Sequence, residues 1–123
     1  MSNSLQLLMG SGIAAGAAQS IGGNIANGLT STGTTQGGAL LLCANYNVVS
    51  TAPLNGGVIL PATAQPSDEF EVFNIGANPV AVYPPVGAAI NNGAANASIA
   101  VAVGKSARLV CITPTLFGAI VSA

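Results

Sequence analysis

Glu69-Phe-Glu-Val-Phe-Asn-Ile-Gly-Ala-Asn-Pro-Val-Ala-Val-Tyr-Pro-Pro85 is the stretch that decides the fold. From Glu69 to Val72 charged and apolar residues alternate, the period of a strand with one covered face. The alternation shifts phase at Phe73, which predicts a bulge or a strand covered on both faces. Asn78-Pro79 reads as a turn and Val80 to Tyr83 as a second strand. Pro84-Pro85 stops that strand, because proline brings no N–H to a ladder.

The same grammar runs outward in both directions. Ala39 to Cys43, Tyr46 to Thr51 and Gly57 to Leu60 precede the stretch as short apolar or β-branched runs. Ala88 to Ile90, Ile99 to Val103, Ser106 to Ile112 and Leu116 to Val121 follow it, with Asn91-Asn92-Gly93 as a strong turn. Short strands at this spacing, each bounded by Gly, Pro or Asn, predict an all-β domain. The expectation is a single sandwich or barrel, jelly-roll-like, of about eight strands over residues 37–123. No credible amphipathic helix interrupts them. Residues 1–36 are rich in Gly, Ser, Thr, Asn and Gln, and read as an extended N-terminal arm shaped by what it lies against.

Charge is nearly missing. Five of the 123 residues are charged, namely Asp68, Glu69, Glu71, Lys105 and Arg108, and there is no histidine. A free domain ordinarily spends about a quarter of its residues on charge to keep its surface hydrated. A chain this neutral is suited to having its surface covered. Two cations cannot track phosphates, so nucleic acid and anionic membrane are excluded as electrostatic partners. Half the residues are hydrophobic but only 4% are aromatic, with no Trp, so the core is built from small side chains. Oligomerisation is the expected supplement to such a core. Cys43 and Cys111 read as buried free thiols, with any pairing left open. The N-terminus shows no basic signal region, and no apolar run approaches the ~20 residues of a membrane helix. The expectation is a protein made in the cytoplasm.

Chemistry-bearing patterns are few. Gly10-Ser-Gly12-Ile-Ala-Ala-Gly16 misses the dinucleotide-loop spacing by one residue and follows no strand. Asp68, Glu69 and Glu71 form the one carboxylate cluster. On a strand Glu69 and Glu71 share a face, and a salt bridge to Lys105 or Arg108 is expected rather than metal binding or acid–base work. No histidine is present for a triad, and no catalytic, cofactor-binding or metal-ligating residue is singled out. Asn96-Ala97-Ser98 is an incidental glycosylation sequon, and Tyr83-Pro84-Pro85 a strand stop before it is a docking motif.

Several phrases carry a resemblance: Gly57-Val-Ile-Leu-Pro61, Asn78-Pro-Val-Ala-Val-Tyr-Pro-Pro85, Ile90-Asn-Asn-Gly93, Val103-Gly-Lys-Ser-Ala107 and Cys111-Ile-Thr-Pro-Thr115. Together with Thr30-Ser-Thr-Gly-Thr-Thr-Gln36 they resemble small β-rich structural proteins of tailed bacteriophage virions. The resemblance covers about residues 28–118, and Phe117 holds the place of the family's C-terminal aromatic. It implies a non-enzymatic capsid decoration (cement) protein, a homotrimer without cofactors, bound to the major capsid protein on the outside of the head. The arm side chains Leu5, Leu7, Leu8, Met9 and Ile13 are then the expected capsid contacts. The alternative role is a tail- or fibre-associated component such as an adaptor or spike head-piece. A carbohydrate-binding module is disfavoured by the absent Trp and scarce Tyr.

Overall fold

A computed structural model describes residues 24–122 of the chain. Ten strands follow in order: β1 (Ile25–Thr30), β2 (Leu40–Leu41), β3 (Tyr46–Thr51), β4 (Gly57–Ile59), β5 (Glu69–Asn74), β6 (Val80–Tyr83), β7 (Ala89–Ile90), β8 (Ile99–Val101), β9 (Ser106–Thr113) and β10 (Leu116–Val121). The one helical element among the described residues is a 3-10 turn, Gln36–Gly38. The all-β expectation holds, but the jelly-roll does not.

The strands form two sheets, ordered β1-β3-β5-β9-β10-β7 and β2-β4-β6-β8. Successive strands from β1 to β6 alternate between them, and β1, β3 and β5 pair in parallel, as do β2, β4 and β6. The chain therefore climbs in rungs, each strand stacking on the one a full turn earlier, in a solenoid-like arrangement. A jelly roll is antiparallel throughout. Here only β8, β9 and β10 run back antiparallel, against β6, β5 and β9 respectively. Strand positions do not disclose this, because an alternating strand reads the same whichever way its neighbour runs.

The inward side chains of both sheets meet in one core that includes Val49, Val72, Leu109, Cys111 and Phe117 from the larger sheet. Val58, Val80, Val82 and Val101 face them from the smaller one. Stacking in register lines up like with like: Leu40, Val58, Val82 and Ile99 form one aliphatic column across four strands. Two asparagines tie rungs together from inside. The Asn47 amide donates to the carbonyls of Ala44 and Glu71, and that of Asn74 to those of Asn78 and Val101. Buried polar groups are tolerated where such bonds replace water.

Three expectations change. β5 has no bulge: its pairing with β3 and β9 stays in step, with Phe70, Val72 and Asn74 inward and Phe73 outward. The phase seemed to slip because a polar residue, Asn74, takes the inward position after Val72. Residues 25–30, read as arm, form the first described strand of the larger sheet. Asn27-Gly28 looks like a turn dipeptide, and here Gly28 sits at an irregularity in the register with β3. Finally, Cys43 is exposed while Cys111 is buried. Leu42 and Ala44 take the inward phase, leaving Leu41 and Cys43 outside. The arm residues Leu5, Leu7, Leu8, Met9 and Ile13, and the Gly10 to Gly16 stretch, lie outside the described residues.

The two thiols should accordingly differ in reactivity. Desolvation, and secondarily the negative charge of Asp68, push the Cys111 thiol above its ordinary value, and its Sγ donates to the Thr113 carbonyl. A thiol reagent at pH 8 is expected to label one equivalent in the native protein, at Cys43, and the second only after unfolding. Two equivalents labelled at equal rates would contradict the burial of Cys111.

Candidate functional site

The feature best formed for recognition is the outer face of the six-stranded sheet. Period two turns every second residue of each strand outward. The registers place Ile25, Tyr46, Glu71, Arg108 and Ile120 side by side in one line across β1, β3, β5, β9 and β10. Val48, Phe73 and Ser106 form the next line, and Val110 lies opposite Gly118. Apolar side chains thus flank a single ion pair, with exposed Glu69 beside Val110 on the same face. Ile25 is 62% and Ile120 76% exposed, large values for isoleucines on a sheet. Other exposed apolar residues, such as Leu54, Val86 and Val103, are scattered in loops. Isolated ones are ordinary, whereas a shared face is not.

At the centre Arg108 Nε donates to Glu71 Oε1 at 2.7 Å. The two residues are direct cross-strand partners in β5 and β9, so the backbone register brings them together. The hydrogen bond and then the charge of Glu71 raise the Arg108 guanidinium above its ordinary value, so it stays charged at any working pH. The Glu71 side chain is 18% exposed and that of Arg108 60%, so the arginine covers the carboxylate and keeps its remaining donors toward solvent. Surface pairs of this kind contribute little to stability. Here the pair leaves the middle of the face almost neutral.

Shallow, open depressions lie on this face among the described residues. One of about 350 Å³ is bounded by Glu71, Phe73, Ser106, Arg108 and Ile120. A second of about 310 Å³ lies between Asn91, Val110, Ile112 and Gly118, and a third of about 370 Å³ is lined by Ile25, Tyr46, Glu71 and Phe73. Ile112 leans over Gly118, where a Cβ would come 3.3 Å from its Cδ1, so the glycine keeps the surface low beside the isoleucine. None is a closed cleft of the kind that engulfs a small ligand.

Of the four residues expected in ion pairs, Arg108 and Glu71 meet, whereas Glu69 and Lys105 make no ion pair among the described residues. The Asp68 carboxylate instead accepts the Gln65 main-chain N–H and closes a turn. No group of three or more His, Cys, Asp or Glu residues gathers among the described residues. Asn96 takes a left-handed φ of 69° and its Oδ1 accepts the Gly87 N–H, so it shapes a turn. Pro84 and Pro85 are buried, and the Pro84 carbonyl accepts from the Gln36 side chain, which leaves no exposed polyproline ridge. Sequence reasoning missed the outer face, since Ile25, Tyr46, Phe73 and Ile120 are far apart in the chain and meet only through strand order. No protein-family model matches the chain, and no curated protein or solved structure matches it either.

Proposed function

We propose that the chain is a non-enzymatic structural protein of a phage virion, a capsid decoration (cement) protein that binds the major capsid protein on the outside of the head and works as a homotrimer. The observation that carries the reading is the outer face of the six-stranded sheet, where exposed isoleucines and half-buried aromatics surround one neutralised ion pair, with Glu69 beside Val110 as the unpaired charge among the described residues of that face. Such a face suits a flat protein surface, through apolar burial with few charges to desolvate. Attachment of this kind resists salt, because it rests little on Coulomb attraction. The near absence of charge in the chain supports the same reading: the protein is built to be covered. The resemblance of the second half of the sequence to small virion proteins supplies the phage assignment.

The test is decoration of undecorated heads by purified protein. Ile120→Asp changes an exposed side chain and is expected to leave the β-sheet circular dichroism unchanged. Binding to heads is expected to weaken by about ten- to a hundredfold, the loss from burying a carboxylate in an apolar contact. Unchanged affinity would remove this face from the attachment surface. Copy number in purified particles, read against the major capsid protein on a denaturing gel, separates head decoration from a tail or fibre component. Many copies are expected, and a handful per particle would overturn the head assignment.

A further inference from the structure

An asparagine followed by glycine is able to modify itself. The main-chain nitrogen of the glycine reaches the asparagine carboxamide, and no Cβ on the glycine stands in the way. The chain holds three such pairs, Asn27-Gly28, Asn55-Gly56 and Asn92-Gly93, and the fold treats them differently. In Asn55-Gly56 the glycine is buried and its N–H donates to the Pro53 carbonyl at 3.0 Å. A Cβ on Gly56 would lie 2.6 Å from Ser31 Oγ, so that corner is tightly packed. Asn92-Gly93 is exposed, but the Gly93 N–H donates to the Ile90 carbonyl at 3.0 Å and closes a turn. Each of these two nitrogens must give up a main-chain bond before it can attack.

Asn27-Gly28 is built the other way. The Gly28 N–H donates to Asn27 Oδ1 at 2.8 Å, so nitrogen and carboxamide are already in contact. Both residues are exposed. Ala26 pairs with Asn47 and Leu29 with Val49, so Asn27 and Gly28 together stand against Val48. The pair thus forms a bulge in β1, and the Gly28 N–H is spent on a side chain rather than on β3. Gly28 has a φ of 72°, in the left-handed region, and among the described residues nothing lies within 4 Å of where its Cβ would be. The asparagine side chain ends in a torsion with a broad profile. A turn about Cβ–Cγ therefore presents the Cγ carbon to the nitrogen in place of Oδ1, without moving the strand.

We propose that Asn27 is a site of spontaneous modification, converting through a succinimide shared with Gly28 to aspartate and isoaspartate. Hydroxide takes the Gly28 amide proton, and the nitrogen attacks Asn27 Cγ. The new N–Cγ bond closes the succinimide ring as the bond from Cγ to Nδ2 breaks, and Nδ2 leaves as ammonia with a proton from water. Water then opens the ring. Opening at Cγ gives aspartate, and opening at the Asn27 main-chain carbonyl gives isoaspartate, in which the chain runs through Cβ and Cγ. The net change is water consumed and ammonia released, with no further reactant. Either product puts a carboxylate on an exposed, neutral position of β1, beside Val48 and in the same phase as Ile25. The reaction does not depend on what the protein binds.

The test uses the full-length protein, incubated folded and in urea at mildly alkaline pH. Peptide mass spectrometry follows conversion at Asn27, Asn55 and Asn92, and enzymatic methylation of isoaspartate identifies that product. The rates in urea give the intrinsic reactivity of each pair, so the comparison isolates what the fold contributes. Asn27 is expected to convert in the folded protein about as fast as in urea. Asn55 and Asn92 are expected to slow by roughly two- to twelvefold or more, the factor for giving up one hydrogen bond. Isoaspartate at Asn27 marks the ring, since direct hydrolysis of the carboxamide yields aspartate alone. If Asn55 or Asn92 keeps as large a share of its urea rate as Asn27 does, the proposal fails. Aspartate at Asn27 without isoaspartate would overturn it too. Asn27→Gln, a change at an exposed position, supplies a second reading. The longer side chain closes its larger ring far more slowly, so early ammonia release from the folded protein should fall. Unchanged early release would place the reaction elsewhere and overturn the assignment to Asn27.

Discussion

Replacing Phe117 by alanine is expected to lower the unfolding free energy by about 3–5 kcal/mol, among the largest losses available to a single truncation. Phe117 is the bulkiest of the fully buried side chains among the described residues, with no exposed surface. It lies on β10 with Cys111 of β9 on one side and Ile90 of β7 on the other. The remaining core is mostly valine, alanine and leucine, and rigid stacked rungs cannot close around the void. Native domains are stable by only about 5–15 kcal/mol, so the loss is a large share of the total. Urea unfolding followed by circular dichroism measures it. A loss below about 1 kcal/mol would mean that the two sheets collapse together freely and are not held by the packing described.

The second large effect is at Asn74, which is fully buried. Its amide donates to the carbonyls of Asn78 and Val101 at 2.9 Å each, and its Oδ1 accepts the Gly76 N–H at 2.9 Å. One side chain thus joins β5, the turn after it and β8. Asn74→Leu keeps the volume and removes all three bonds, leaving main-chain groups without partners where water does not reach. Each such group costs about 1–3 kcal/mol, so a total near or above 3 kcal/mol is expected. The same urea titration checks it, and amide exchange at Gly76 and Ile99–Val101 should rise first. A neutral result would mean that water enters the turn and replaces the side chain.

The two sites also show how unevenly the sequence speaks. The strand that carries Phe117 was legible, because Leu116 to Val121 is an apolar run after Pro114, whereas its burial came from the structure. Asn74 was misread, since an asparagine at an inward position looks like a break in the alternation rather than its continuation. Tyr46 to Thr51, Val80 to Tyr83 and Leu116 to Val121 are strands with the bounds that their flanking Asn, Pro and Gly residues predict. Ile25–Thr30 was missed because it lies in a stretch so rich in Gly, Ser, Thr and Asn that it reads as an arm.

Local chemistry therefore dictated that the chain would be β-rich, where most strands would start and stop, and how little charge its surface would hold. Those properties depend on residues within a few positions of one another: proline without an N–H, asparagine and glycine at turns, alternation at period two. Which strand lies beside which, in which direction and in what register was decided in three dimensions. A strand with one covered face buries the same side chains against a parallel or an antiparallel neighbour, so the pattern is blind to the partner. The line Ile25, Tyr46, Glu71, Arg108 and Ile120 exists only because β1, β3, β5, β9 and β10 stack in that order. That order follows from burying one shared core between two sheets, a requirement of the whole chain and of no segment within it.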